Sequence, residues 1–466
     1  MPVSVLGRKE GYIQNMDELL YKKTMLRVVK LINVAMMTIP FAACWYLFYA
    51  DVLASPYFAK GNWMIIALFA VLYVTYGRIY EGFQISLNRI SESVTSQSLA
   101  VIIADGILFF VTWLLMKYFP PVPPMIVLII VQIMLSAVWC RAAHIWYFRT
   151  FPAKRTAIIY DQREGMQNLI SQYGLSKKFD VVAVDDVEGA LAKDLSILQG
   201  VDVVFLCGIH SHERNVILKR CIAEDVQMYL VPRIGDVLMS GAKKMHMFHL
   251  PILRVERYDP APEYLFMKRA VDLIISGLFL LVLSPVMGIV AIAIKATDGG
   301  PVFYKQCRLT KDGKTFNVLK FRSMRVDAEK DGVARLSTGK NDDRITPVGR
   351  FIRKCRLDEL PQLLNILAGQ MSLVGPRPER PEIAAQYEEE LPEFALRLQA
   401  KAGLTGYAQV YGKYNTTPYD KLQLDLMYIA NPSIIEDFKI MFATVKILFE
   451  AESTEGVKEG NVTAAG

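Results

Sequence analysis

Residues 31–50 run for twenty positions without a charge, and a helix of that length covers the roughly 30 Å of hydrocarbon in a bilayer. Three further apolar runs follow at residues 62–77, 99–116 and 125–140, the last two separated by the hinge Pro-Pro-Val-Pro-Pro. A chain built this way needs lipid around part of it. Composition agrees: 53% of the 466 residues are hydrophobic and the mean hydropathy is +0.26, which excludes disorder and a wholly water-soluble protein. The apolar excess is concentrated at one end, since all five tryptophans precede residue 150.

Charge predicts how these four spans are oriented. Lys22, Lys23, Arg27 and Lys30 precede the first, Arg78 and Arg89 lie between the second and third, and Arg141, Arg149, Lys154 and Arg155 follow the fourth. The other two loops hold only Lys60 and Lys117. Both ends of a four-helix block over residues 1–150 therefore face the cytoplasm. The first thirty residues mix charges and lack an apolar core with a small-residue cleavage site, so no cleavable leader is expected. Asp105, inside the third span, reads either as a functional intramembrane carboxylate or as a helix-packing position. The six cysteines form no CxxC pair, as expected of reduced thiols.

From Thr156 the pattern changes to short β-rich runs (TAIIY, FDVVAV, DVVFL, VQMYLV) alternating with helical candidates at residues 166–173, 187–198 and 212–223. Such alternation predicts a parallel, Rossmann-like module over residues 151–255. Its first strand leads into YDQREG rather than a glycine-rich turn, so a packing or oligomerisation role is expected over dinucleotide binding. His210 with His212, and His246 with His249, have spacings that could hold a metal, but surface histidines are the expected reading for both pairs. No histidine follows His249, which excludes histidine-based hydrolysis and zinc chemistry in the C-terminal half.

Residues 273–294 are a second kind of apolar segment, twenty-two positions without a charge. A crossing here would place everything after Lys295 outside. Yet residues 305–380 hold seventeen Lys/Arg against nine Asp/Glu, a local net charge of +8 that exceeds the whole chain's +7, and segments that basic stay inside. Ser284-Pro285 lies mid-segment, where proline removes a backbone donor and favours a sharp bend. A re-entrant helix that enters, breaks and returns on one side reconciles length with charge. Asp272, placed i+4 from Lys268 and i+3 from Arg269, is expected to neutralise both where the chain enters the membrane.

Beyond it lies one adjacent acidic pair, Asp358-Glu359, followed by Pro361 and an apolar helical run. The pair is predicted at or near a helix start, where the dipole favours anions. Adjacent residues diverge too far to share one proton, so one carboxylate is free to attack phosphorus while the other holds a divalent cation. Lys320, Arg322, Arg353 and Arg356 surround the pair in sequence, and Arg377 stands between Pro376 and Pro378, which fix its backbone. Guanidinium forks match phosphate oxygens, so the set suits a nucleotide diphosphate rather than a nucleic acid.

These residues also carry a resemblance. KRAVD, the Ser284-Pro285 break, KFRSM, RLDELPQLLN, MSLVGPRPE and KAGLTGYAQV occur in the order found in the bacterial sugar transferases, the monotopic phosphoglycosyl transferases. The similarity runs over residues 268–448, and the N-terminal block and middle module look like the family's large form, also seen in undecaprenyl-phosphate galactose or glucose phosphotransferases. The resemblance implies a mostly helical monotopic catalytic domain over residues 262–450, and transfer of a hexose 1-phosphate from a UDP-hexose to undecaprenyl phosphate. UMP is released, magnesium assists, and the step initiates exopolysaccharide, capsule or O-antigen synthesis at the cytoplasmic face of the bacterial inner membrane. By motif, Asp358 is then the nucleophile that forms an aspartyl-phosphosugar and Glu359 the magnesium ligand. Arg377, Lys320 and Arg353 would contact the nucleotide or phosphates, Ser284 and Pro285 shape the re-entrant helix, and Lys268 and Arg269 anchor it at lipid headgroups.

Two other readings stay open at this level: the same reaction by direct transfer, with Asp358 as a base, and a non-catalytic scaffold for polysaccharide assembly. The sugar is not specified, glucose and galactose being equally suited. Residues 413–424 are the candidate specificity region, offering Tyr414, Asn415, Thr416, Tyr419 and Asp420. The spans and the middle module both provide surfaces for a homodimer, and residues 451–466 read as a polar, flexible tail.

Overall fold

The structure is a computed structural model, described here for residues 3–57, 59–161, 165–325, 344–412 and 416–448. The chain forms two compact units, residues 1–154 with 170–180, and residues 155–169 with 181–466.

The first unit is built from α1 (Val3–Phe48), α2 (Ala59–Ile79), α3 (Ile90–Leu115) and α4 (Val122–Thr150). Stretches of all four are long and apolar enough to cross a membrane. Their hydrophobic side chains face outward in large number, while polar groups meet inside. Tyr73 Oη donates to Asn33 Oδ1 at 2.6 Å, and Gln97 Oε1 accepts from Asn33 Nδ2 at 3.2 Å and from Ser136 Oγ at 2.8 Å. These bonds tie one residue from each helix into a network that lipid could not satisfy. Asp105 is fully buried in α3, and among the described residues neither carboxylate oxygen has a hydrogen-bond partner.

The α/β segment follows: β1 (Lys154–Tyr160), α5 (Met166–Gln172), β2 (Phe179–Asp186), α6 (Val187–Ala192), β3 (Val203–Cys207), α7 (Ser211–Ala223) and β4 (Gln227–Val231). The sheet order is β2-β1-β3-β4, with β3 parallel to both β1 and β4. Ala157, Ile159, Val204 and Leu206 fill its core with Ile217 and Cys221 of α7. Residues 162–164 of the YDQREG turn lie outside the described residues.

Next come α8 (Ile234–Ser240) and a hairpin of β5 (Lys243–Met247) and β6 (Leu250–Arg254). The alternation in the sequence did not reveal the hairpin, whose outward apolar residues break the period-2 pattern. Val237 of α8 is buried in the core of the C-terminal region. That segment is therefore physically part of the C-terminal region, although its sequence position lies within 151–255.

The C-terminal region contains α9 (Pro262–Asp298), β7 (Phe303–Leu309), β8 (Thr315–Phe321), α10 (Pro347–Lys354), α11 (Gln362–Leu367), β9 (Ser372–Val374), α12 (Pro381–Glu390), β10 (Gly403–Thr405), α13 (Tyr407–Val410), α14 (Pro418–Ala430) and α15 (Ile434–Leu448). Leu363, Ile366, Met371, Leu373, Leu422, Leu426 and Ile440 form its core.

Three expectations about α9 change. Its backbone stays helical through Ser284 and Pro285, and Ser284 Oγ donates to Leu281 O at 2.8 Å. The expected interruption of the helix is thus absent. A proline costs one backbone bond and can bend a helix without ending it. Lys268 and Arg269 are not free for headgroups: Lys268 Nζ lies 2.9 Å from Asp437 Oδ2, and Arg269 donates to the Ile366 and Leu367 carbonyls at 2.7 and 2.8 Å. Asp272 makes its hydrogen bonds elsewhere, accepting from Leu373 N at 2.8 Å and Ser372 Oγ at 3.1 Å, while the Lys268 charge still acts on it. These side chains are turned inward because the ends of α11 and β9 leave backbone groups that need partners.

Farther along α9, Val290 and Ile294 are buried with Phe321 and Ile352, and Met287 and Ala291 pack beside them. Between the two docked arms, Leu278, Phe279, Leu281, Val282 and Val286 are exposed.

Candidate active site

Thr346 caps α10, accepting from Gly349 N at 2.9 Å, and Pro347 suits the first helical position. The helix ends at Cys355, and Arg356 takes φ 54°, ψ 20°, a left-handed conformation rare outside glycine. That reversal turns the chain into a single 3-10 turn, Leu357–Glu359, before Pro361 and α11. Asp358 and Glu359 therefore stand just before a helix start, as expected, but in a tighter turn than an α-helix. Buried Leu363 and Ile366 anchor the turn from the α11 side.

Glu359 Oε1 lies 3.0 Å from Lys320 Nζ on β8 and 3.2 Å from Arg377 Nη2. The loop bearing Arg377 is pinned on both sides: Gly375 N donates to Thr405 O and Gly403 N to Pro376 O, each at 2.9 Å. The backbones of Gly375 and Gly403 approach so closely that neither position has room for a Cβ, which explains why MSLVGPRPE and KAGLTGYAQV carry glycine there. Arg377 keeps 42% of its side chain exposed while Glu359 keeps 16%, so the guanidinium can reach a ligand without leaving its partner.

The two carboxylates titrate in opposite directions. Burial pushes Asp358 up to about 6, aided by the neighbouring Glu359 charge and opposed by Lys320 and Arg353. Burial also disfavours the Glu359 anion, but Lys320, Arg377 and Arg356 outweigh it and hold that carboxyl well below the usual range. Environments that separate two carboxyls in this way assign them different work.

A surrounding layer of charge was not read from the sequence. Arg397 donates to Asp425 Oδ2 from Nε at 2.9 Å and to Arg377 O from Nη2 at 2.8 Å, and its Nη1 lies 3.6 Å from Glu379. Arg308 donates to Pro378 O at 3.1 Å, and burial, with Arg377 nearby, lowers its pKa to about 10. Lys421, one turn before Asp425, has its pKa lowered by burial. The signal was present in the sequence: Arg397 interrupts FALRLQ and Asp425 interrupts LQLDLMYI, and a charge inside an apolar run marks a buried pair.

Lys320 and Arg377 pair with Glu359, the charges of Arg353 and Arg356 act on the dyad, and Pro376 and Pro378 flank Arg377 in the chain. Arg322 is buried, and its guanidinium lies against Gly300, leaving no room for a side chain at that glycine. In the candidate specificity region, Lys413, Tyr414 and Asn415 lie outside the described residues. Asp420 accepts from Thr417 Oγ1 at 2.8 Å at the start of α14. Among the described residues no group of three or more His, Cys, Asp or Glu is placed to hold a metal ion.

Residues 263–451 match the bacterial sugar transferase family. The chain is 40% identical over 212 residues to the UDP-glucose:undecaprenyl-phosphate glucose-1-phosphate transferase of Escherichia coli, covering 44% of each chain. It is 36% identical over 234 residues to the UDP-N-acetylgalactosamine-undecaprenyl-phosphate N-acetylgalactosaminephosphotransferase of Aeromonas hydrophila, covering 50% of this chain and 54% of that one. The matched region thus spans about half the length of these two relatives. With the exopolysaccharide production protein PSS of Rhizobium leguminosarum it shares 44% identity over 190 residues, 39% of this chain and 94% of the relative. The dyad, the GPRP loop and the glycine crossing all fall within the matched residues, and the chain belongs to the bacterial sugar transferase family.

Proposed function

We propose that the chain transfers a hexose 1-phosphate from a UDP-sugar to undecaprenyl phosphate, releasing UMP, through a covalent aspartyl-phosphosugar. One observation carries the reading: the adjacent carboxylates have opposite electrostatic environments, Asp358 basic enough to attack and Glu359 fixed as an anion between Lys320 and Arg377. The relatives named for glucose and N-acetylgalactosamine phosphate transfer support the reaction class.

In the first step an Asp358 oxygen attacks the phosphorus bearing the sugar. The bond between that phosphorus and the bridging oxygen breaks, and UMP leaves with the oxygen and its charge. In the second step a phosphate oxygen of the lipid attacks the same phosphorus and returns the Asp358 carboxylate. The two bulky anions thus never need to share the site. Arg377, half in solvent, and Arg353 offer guanidinium donors to the diphosphate, while Lys320 keeps Glu359 oriented.

Magnesium fits this donor set, because it takes one or two carboxylates and completes its shell with water and substrate phosphate oxygens. Glu359 makes its ion pairs with Lys320 and Arg377 through Oε1, and its carboxylate would supply the protein's oxygen ligand to the ion. When bound, magnesium would neutralise charge on the diphosphate.

The reading requires the site to lie at the membrane surface, where a lipid phosphate meets a cytosolic nucleotide. The two docked arms of α9 support this. Residues 269 and 290 of a straight helix would stand roughly 30 Å apart, yet both arms lean on the stretch between Ile352 and Leu373. A bend near Pro285 would bring them together and send the exposed apolar residues 278–286 into one leaflet, a re-entrant helix on the cytoplasmic face of the inner membrane. Four crossings by α1 to α4, a Rossmann-like module around β1 to β4 and a homodimer complete the proposed architecture. The parallel β1, β3 and β4 support the module.

The test is to incubate purified protein with a UDP-sugar labelled in the sugar and no lipid. Label bound to protein, with one UMP released per site and neither seen in Asp358→Asn, is the expected outcome. UMP release that requires lipid, with no labelled protein, would instead establish direct transfer.

A further inference from the structure

We propose that Asn365 is a positioning residue for the dyad, its side-chain amide standing in for a third strand that fixes Lys320 against Glu359. The inference rests on the transfer reaction proposed above.

Asn365 is buried on α11. Its Oδ1 accepts from Leu319 N at 2.9 Å, and its Nδ2 donates to Asn317 O at 2.8 Å and to Gln370 Oε1 at 2.6 Å. Accepting from one residue's N–H while donating to the carbonyl two positions earlier is how a neighbouring parallel strand pairs with an edge. Among the described residues β7 is the one strand partner of β8, and a two-stranded hairpin alone is marginal in water. One amide therefore occupies the free edge of β8 immediately before Lys320.

The same residue sits on the helix that follows the dyad turn. Lys320 and Glu359 approach to 3.0 Å across β8 and the turn before α11, and Asn365 joins α11 to β8. Lysine has a flexible four-carbon stem, so the pair does not hold that spacing by itself. No other side chain fits the role. Aspartate would set a carboxylate oxygen against the Asn317 carbonyl, leucine would leave Leu319 N and Asn317 O without partners, and glutamine is one methylene too long.

The experiment uses the full chain with Asn365→Leu and Lys320→Met, singly and together. It reads UMP release from a UDP-sugar per folded protein, and amide hydrogen exchange at Leu319. Asn365→Leu should lower kcat about tenfold while the donor KM moves less than about twofold, and it should cost nothing further once Lys320 is methionine. Leu319 should exchange at least about tenfold faster in Asn365→Leu and unchanged in Lys320→Met. Losses that multiply in the double variant, or unchanged exchange at Leu319, would overturn the assignment. Should Asn365→Leu fail to accumulate, Asn365→Asp keeps the acceptor for Leu319 and should give an intermediate loss with the same dependence on Lys320. If the unaltered chain releases no UMP from any UDP-sugar, the transfer reading falls, and exchange at Leu319 still decides whether Asn365 clamps β8.

Discussion

Lys268 and Asp437 are 169 positions apart in the chain and 2.9 Å apart in the fold, with Tyr428 Oη donating to Asp437 Oδ1 at 2.8 Å. The pair ties the first arm of α9 to α15, with only 13% and 5% of the two side chains exposed. Removing one partner strands the other charge. Lys268→Met should therefore destabilise the catalytic region by about 3–5 kcal/mol. Adding Asp437→Asn should recover part of that loss, and thermal unfolding in detergent would measure both. Equal stability of the single variant and the parent would mean that the pair contributes nothing to docking of α9.

Asp358 and Glu359 should separate in pH. A nucleophilic carboxylate must be ionised, so turnover should fall as pH drops through about 6, the value to which burial raises Asp358. Stability carries the opposite sign. A carboxyl whose folded pKa is raised contributes stability when protonated, present at low pH and lost as pH rises through about 6. Asp358→Asn should accordingly abolish UMP release while raising Tm at pH 8 by a few degrees, roughly what 1 kcal/mol gives in a domain of this size. A lowered Tm at pH 8 would show that Asp358 is stabilising as an anion.

Much of the site was legible because its chemistry is local. Asp358-Glu359, the prolines around Arg377 and the basic neighbours are short motifs whose spacing carries the meaning. The apolar runs announced α1 to α4 and α9 for the same reason. What escaped depends on tertiary pairing. Lys268, Arg269 and Asp272 are spaced to meet one another on a helix face, and only the backbone groups presented by α11, β9 and the Asp437 carboxylate redirect them. The α8 helix looks like part of the preceding α/β alternation until Val237 is seen in another core.

Gly403 offers a prediction independent of any substrate. The Gly375 backbone occupies the space a side chain at residue 403 would need, and both atoms belong to rigid main chain. Gly403→Ala must therefore push β10 away from β9 and move the loop that carries Arg377. An overpacked site of this kind costs typically about 1–3 kcal/mol. UMP release should fall further than the folded fraction does, because the displaced loop also bears Arg377. A loss of activity matching the folded fraction alone would show that the loop absorbs the methyl without moving the arginine.

The bend proposed for α9 fixes which compartment each of its ends faces. If the helix returns to the side from which it entered, Ala261 before it and Cys307 after it face the same compartment. Cys307 is a native exposed thiol, so the experiment needs only Ala261→Cys in a chain whose other cysteines are replaced. In right-side-out and inverted vesicles a membrane-impermeant thiol reagent should label both positions from the cytoplasmic side alone. Labelling from opposite sides would make α9 a fifth crossing, carrying the basic stretch of residues 305–380 outward against its charge. Pro285→Ala adds a second readout. Restoring the missing backbone donor favours a straighter helix, which would pull apart the arms held by Arg269 and by Val290. The variant should then lose activity with Ala261→Cys and Cys307 still labelled from one side, because the lost function would come from the docking of the two arms rather than from the side on which they lie.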